Sequence, residues 1–212
     1  MKRVLLVAAV LMLAASACTD ATKEASPSSS QAAPKPATKF TTVAEGCELL
    51  DRETLAKYLP ATSCSLKLQD NSRTQNGDGE PILDRRGRYE PTGSAGKSGF
   101  HAVAEVGLKL NLDTYADSQK SAAMGNSGAG SSDRAVAGVG DRAHLYYQAG
   151  TEASNNLTMT TGVLVSSWGN ASLTVYYWHY QAAAIGNGAG LSEQKTAKAL
   201  IAITRDVYDD LS

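Results

Sequence analysis

Over residues 100–112 apolar side chains occupy every second position, Phe100, Ala102, Ala104, Val106, Leu108, Leu110 and Leu112, with His101, Glu105, Lys109 and Asn111 between them. A period of two puts alternate side chains on opposite faces of an extended chain, so this segment predicts a strand with one face on a core and the other toward solvent. Residues 63–68, with Cys64, Leu66 and Leu68 on one side, and residues 143–148, 157–165 and 173–180 read as further strands. Trp168-Gly169-Asn170 separates the last two, and because Gly and Asn tolerate positive φ it predicts a hairpin turn. In the last strand the alternation sets Leu173, Val175, Tyr177 and His179 on one face and Tyr176, Trp178 and Tyr180 on the other.

Helical spacing appears three times. Asp51 precedes residues 52–59, where Leu55, Tyr58 and Leu59 share a face; its carboxylate can accept a first-turn N–H, and Pro60 ends the helix. Asp113 caps a second helix running to about Met124, and Ser192 begins a third in which Leu200, Ile203, Val207 and Leu211 recur along one stripe. Residues 69–99 are mostly polar and rich in Gly, and residues 125–132 form a Gly/Ser stretch; both read as loops. The order helix, two strands, helix, three strands, helix implies an α+β domain, an antiparallel sheet of about five strands with helices packed on one face.

The N-terminus follows a different pattern. Lys2 and Arg3 precede an apolar run over residues 4–15 and then Ala15-Ser16-Ala17-Cys18, the charged, apolar and small-residue parts of an export signal. The run is about a dozen residues long, whereas a membrane span needs roughly 20. Cys18 after small residues resembles the lipobox, which implies removal of residues 1–17 as a signal peptide and acylation of Cys18; Ala15 stands where leucine is commoner. The alternative is an ordinary Ala-x-Ala secretion site followed by an incidental cysteine. Attached acyl chains contribute about 0.8 kcal/mol per buried methylene, so such a protein is held on the membrane, its expected partner, without any apolar protein surface. Residues 18–44, rich in Ser, Ala, Thr, Pro and Lys, carry too little apolar surface to offset the entropy of ordering and read as a linker. Residues 45–212 are expected to form one globular domain on the outer face of the cell membrane.

Charge and cysteines narrow the picture. Loss of Lys2 and Arg3 with the leader takes the formal net charge from −1 to −3 without any block of like charge, so nothing recruits nucleic acid. With Cys18 assigned to lipid, Cys47 and Cys64 remain as an even pair in an exported chain, where a disulfide is expected. A loop of about 17 residues closed in this way is worth roughly 3 kcal/mol.

Three short stretches bear a resemblance. Gly46-Cys47-Glu48-Leu49-Leu50 before a short helix, Ala137-Gly138-Val139-Gly140-Asp141-Arg142-Ala143 before a strand, and Val165-Ser166-Ser167-Trp168-Gly169-Asn170 before the next resemble actinobacterial cell-envelope lipoproteins of a domain-of-unknown-function family. They are also similar to the extracellular sensor domains of mycobacterial-type serine/threonine kinases. The resemblance runs loosely over residues 45–212, and its motifs are structural. It implies an envelope role without assigned catalytic residues, a Cys47–Cys64 disulfide, and a structural turn over residues 138–143.

Candidate chemistry is sparse. Gly93-Ser94-Ala95-Gly96-Lys97-Ser98 ends like a phosphate loop, but Pro91 holds the place of the first glycine and a strand follows instead of a helix. Gly186, Gly188 and Gly190 lack the βαβ unit of a dinucleotide site. No cofactor is expected. His101, His144 and His179 are the only histidines and sit on three different strands; they would form a metal site if the strands were neighbours. Tyr176, Trp178 and Tyr180 make the densest aromatic face, which either packs under a helix or serves as a contact surface. The reading preferred is a non-catalytic module binding an envelope protein, glycan or lipid through Tyr176, Trp178, Tyr180 and the loop over residues 70–99. The alternative is an exported metal-dependent enzyme using His101, His144 and His179.

Overall fold

The computed structural model describes residues 39–66, 75–92, 100–153, 157–182 and 190–211. Cys18, the export segment, the stretch over residues 93–98, Gly186 and Gly188 lie outside them. Seven strands form one antiparallel sheet: β1 (Thr62–Leu66), β2 (Leu83–Pro91), β3 (Phe100–Leu110), β4 (Ser131–Ala135), β5 (Arg142–Ala153), β6 (Leu157–Trp168) and β7 (Ala171–Ala182), in the order β1-β2-β3-β7-β6-β5-β4. Three helices accompany them, α1 (Arg52–Tyr58), α2 (Tyr115–Gly125) and α3 (Glu193–Asp209). The class is α+β as expected, and the sheet is larger than five strands. The added strands are β2, inside the segment read as a 69–99 loop, and β4, which starts within the Gly/Ser stretch.

The helices lie on both faces of the sheet, which corrects the expectation of one. On the first face α3 crosses β5, β6 and β7 and buries Leu200, Ile203 and Val207 against Leu164, Leu173, Val175 and Tyr177. On the second face α2 lies over the same three strands, and Ala122 meets Tyr146, Val163 and Val165. The cause is legible in β6, where Val163, Leu164 and Val165 are consecutive and all buried. A continuous apolar run requires cover on both sides of a sheet.

Local capping follows the side chains. Asp51 Oδ1 accepts the Thr54 N–H at 2.6 Å at the start of α1, and Ser192 Oγ accepts the Lys195 N–H at 3.4 Å at the start of α3. Asp113 accepts the Tyr115 N–H at 3.0 Å, one residue outside the N-cap Thr114 of α2. The turn into β7 is the two-residue Gly169-Asn170 connection that pairs Trp168 with Ala171. The 138–143 turn is also present. At Gly140 φ is +62° and a Cβ would stand 2.5 Å from the Ser167 carbonyl oxygen, so only glycine fits there.

Packing begins ahead of residue 45. Phe40, placed in the linker by its neighbours in sequence, is 6% exposed and meets the Trp168 ring edge-on at 5.0 Å. Asn170 accepts the Phe40 N–H at 2.7 Å and donates to the Phe40 carbonyl at 2.8 Å. From there the chain crosses β2 on the α3 side, where Tyr89 Oη donates to the Gly46 carbonyl at 3.2 Å. Cys47 and Cys64 form the expected disulfide, with Cα atoms 5.6 Å apart.

Candidate functional site

Helix α2 covers β5, β6 and β7 and leaves the second face of β2 and β3 uncovered by any helix among the described residues. The strand register brings chemistry together there. Arg88, Glu105 and Tyr176 are neighbours in one row across β2, β3 and β7, and Arg86, Gly107 and Thr174 form the next. Opposite them α2 presents Asp117, Ser118 and Ser121, and the two sides bound a groove of about 590 Å³ that also takes in Lys109 and Trp178.

The aromatic floor is ordered by stacking. Tyr176 and Trp178, two apart on β7, hold their rings 5.6 Å apart and within 7° of parallel. The Arg88 guanidinium lies 5.8 Å from the Trp178 ring centre, a cation–π contact. Arg88 also donates to Glu90 at 2.6 Å and to Glu105 at 3.3 Å, and the hydrogen bond to Glu90 is the main cause of a pKa raised above the ordinary arginine value. Burial, then the Glu105 charge, raises the Tyr176 hydroxyl pKa, with Arg86 opposing. Tyr176 therefore remains a neutral hydrogen-bonding group.

Beside the groove, Asp84 is 3% exposed and forms ion pairs with Arg86 at 3.3 Å and Lys109 at 3.7 Å. Neutralising a buried carboxylate fixes both cations in place.

The sequence-predicted aromatic trio is divided. Tyr176 and Trp178 line the groove; Tyr180 is not among its described lining residues and stacks its ring on His101 at 4.6 Å. Of the segment read as a binding loop, residues 83–91 are strand β2, so Arg86 and Arg88 reach the groove from a sheet. The charged groups escaped the sequence reading together with the strand that carries them. Asp84, Arg86, Arg88 and Glu90 do alternate, and that alternation was the available signal.

The three histidines are not brought together. His144 shares the α2 face with its cross-strand neighbour Val165, pairs with Asp133 at 2.9 Å and tilts against the Tyr146 ring. His179 is 2% exposed on the α3 face, beside its cross-strand partner Ala102. Burial, then the charges of His101 and Lys195, lower its pKa. Among the described residues no group of three or more His, Cys, Asp or Glu is placed to hold a metal ion, and no helix is long and apolar enough to cross a membrane.

In chemical terms the groove offers two aromatic rings, cations paired with carboxylates on the sheet bank, and hydroxyls with a carboxylate on the other. That combination suits recognition of a ligand with both polar and apolar faces. No protein-family model matches the chain, and neither a curated protein nor a solved structure matches it.

Proposed function

We propose that this chain is a lipid-anchored, non-catalytic binding module of the cell envelope that takes a polyhydroxylated, glycan-like ligand in the groove between α2 and the open part of the sheet. The observation that carries the reading is the paired Tyr176 and Trp178 rings on the floor of a 590 Å³ groove, flanked by Arg86, Arg88, Ser118 and Ser121. Sugar rings offer C–H faces to aromatic side chains and hydroxyls to polar ones. The anchor rests on the resemblance of the Cys18 segment to a lipobox and on the linker that follows it.

Calorimetric titration with soluble peptidoglycan fragments tests the site. Trp178→Ala is expected to weaken binding by more than about 1 kcal/mol, as for an aromatic hot spot. Its melting temperature should change little, because Trp178 is only half-buried and stands on the face opposite α3. A large fall in melting temperature with unaltered affinity would remove the groove from consideration.

The anchor has a separate test. Cells fed labelled palmitate should yield labelled protein in the membrane fraction, and Cys18→Ala should lose the label and leave that fraction. Persistence of both in the variant would exclude acylation at Cys18.

A further inference from the structure

A second cavity opens on the other face of the sheet, where α1 and α3 meet over the ends of β3 and β7. Its volume is about 320 Å³, near the lower end of the range of roughly 300–1,000 Å³ typical of ligand clefts. Small residues create the space, since Ala102 on β3 and Ala199 on α3 occupy places where larger side chains would fill it. Leu191 and Tyr177 contribute apolar surface, and the imidazoles of His101 and His179 also line the cavity. Tyr177 Oη donates to the Tyr58 carbonyl at 3.3 Å, which ties the cavity floor to α1; burial pushes the hydroxyl pKa up to about 12, so this tyrosine is neutral.

Among the described residues the charged side chains of the rim are all lysines. Lys57 from α1 and Lys195 and Lys198 from α3 stand around the opening, and among the described residues no carboxylate lines the cavity. None of these lysines forms an ion pair with a described carboxylate, whereas the lysines and arginines around the other groove do. Clustered like charges repel one another, and an anion at their centre relieves the repulsion. Lysine also lays its methylene stem along apolar surface while its ammonium stays in water, which suits a boundary between an apolar interior and a charged head.

We propose that this cavity binds a single alkyl chain with an anionic head group, the head held by Lys57, Lys195 and Lys198 and the chain lying against Tyr177, Leu191 and Ala199. The site lies on the face opposite the aromatic groove and is independent of the function proposed for that groove. A carboxylate of a free fatty acid and a phosphate of a single-chain phospholipid share the required chemistry.

The complete chain carrying Cys18→Ala, which has no acyl group of its own to compete, is titrated with dodecanoate and with dodecyl phosphate below their micelle concentrations. At least one is expected to bind with a stoichiometry of one, and the tighter of the two identifies the head group. Dodecan-1-ol and acetate are each expected to bind at least ten-fold more weakly. Lys195→Gln/Lys198→Gln, two changes at exposed positions, should also weaken the preferred ligand at least ten-fold without altering the melting temperature. In proton NMR the ring signals of His179 should move on binding, and those of His144, on the opposite face, should not. The proposal is overturned if neither anion binds, if the alcohol or acetate matches it, if the lysine variant binds like the parent, or if His144 alone responds.

Discussion

Replacing both disulfide cysteines, as Cys47→Ser/Cys64→Ser, is expected to cost about 3 kcal/mol, the chain-entropy value for a loop of this size, and to lower the melting temperature by roughly 6–12 °C for a domain in this size range. The bridge spans 17 residues and encloses α1 and the start of β1. Neither element is secure without it. Helix α1 has seven residues and buries none of them completely, too short a helix to persist on its own propensity. Among the described residues strand β1 is an edge strand with β2 as its one neighbour. The bridge thus limits the unfolded chain at the place where native contacts are fewest. Scanning calorimetry of the double-serine chain measures the loss, and hydrogen exchange locates it: protection should fall in α1 and β1 and persist in β3, β6 and β7. A shift below about 2 °C would mean that packing of Leu49, Leu50 and Leu59, all buried, holds the loop unaided.

How far the fold could be read from sequence depended on how many faces each element buries. Strands β3 and β7 were legible because one face is predominantly apolar; in β3 Val106, Leu108 and Leu110 are fully buried and alternate with charged or small residues. Helix α3 was legible for the same reason, with Leu200, Ile203 and Val207 at 0% exposure along one stripe. Strand β2 was hidden because Arg85 and Gly87 stand where the alternation calls for large apolar residues, and Gly87 is there to let another segment pass. Strand β4 is an edge strand with four of its five residues exposed, so burial gave it no pattern to display. The second helical layer was not legible because residues 157–165 show as a strand without declaring that the consecutive Val163, Leu164 and Val165 bury both of its faces.

The candidate site divided along the same line. Alternation sufficed to put Tyr176 and Trp178 on the face away from Leu173 and Val175, where they are found. It could not show that Tyr180 would be engaged by His101, because that contact depends on the β3–β7 register, nor that α2 would supply the opposite bank. The disulfide needed no geometry at all: with Cys18 expected to carry lipid, Cys47 and Cys64 leave one pairing. The histidines show the converse. Residue type alone suggested a triad, and register placed His144 and His179 on opposite faces of the sheet.

Gly46→Ala and Gly87→Ala should each destabilise the domain by about 1–3 kcal/mol, the cost of forcing extra volume into a packed interior, and their combination should cost clearly less than the sum. A Cβ on Gly87 would stand 2.1 Å from the Gly46 carbonyl oxygen, and a Cβ on Gly46 would stand 2.3 Å from the Arg86 carbonyl oxygen. Both obstacles are backbone atoms, so no side-chain rotation relieves them. The N-terminal segment must lift off β2, which strains the Tyr89 hydrogen bond to Gly46 and loosens Leu49 in the core. Once the first methyl has lifted it, the second finds the space already open, and residues that share a contact couple in this way. Gly107→Ala supplies the control. It lies on the neighbouring strand β3, where the nearest atom to an added Cβ is 3.9 Å away, and alanine there removes unfolded-state freedom at no steric cost. Urea denaturation of the three single variants and the Gly46→Ala/Gly87→Ala pair reads the result directly. Additive losses in the pair, or a loss at Gly107 equal to that at Gly87, would show that the backbone crossing is not what these glycines serve.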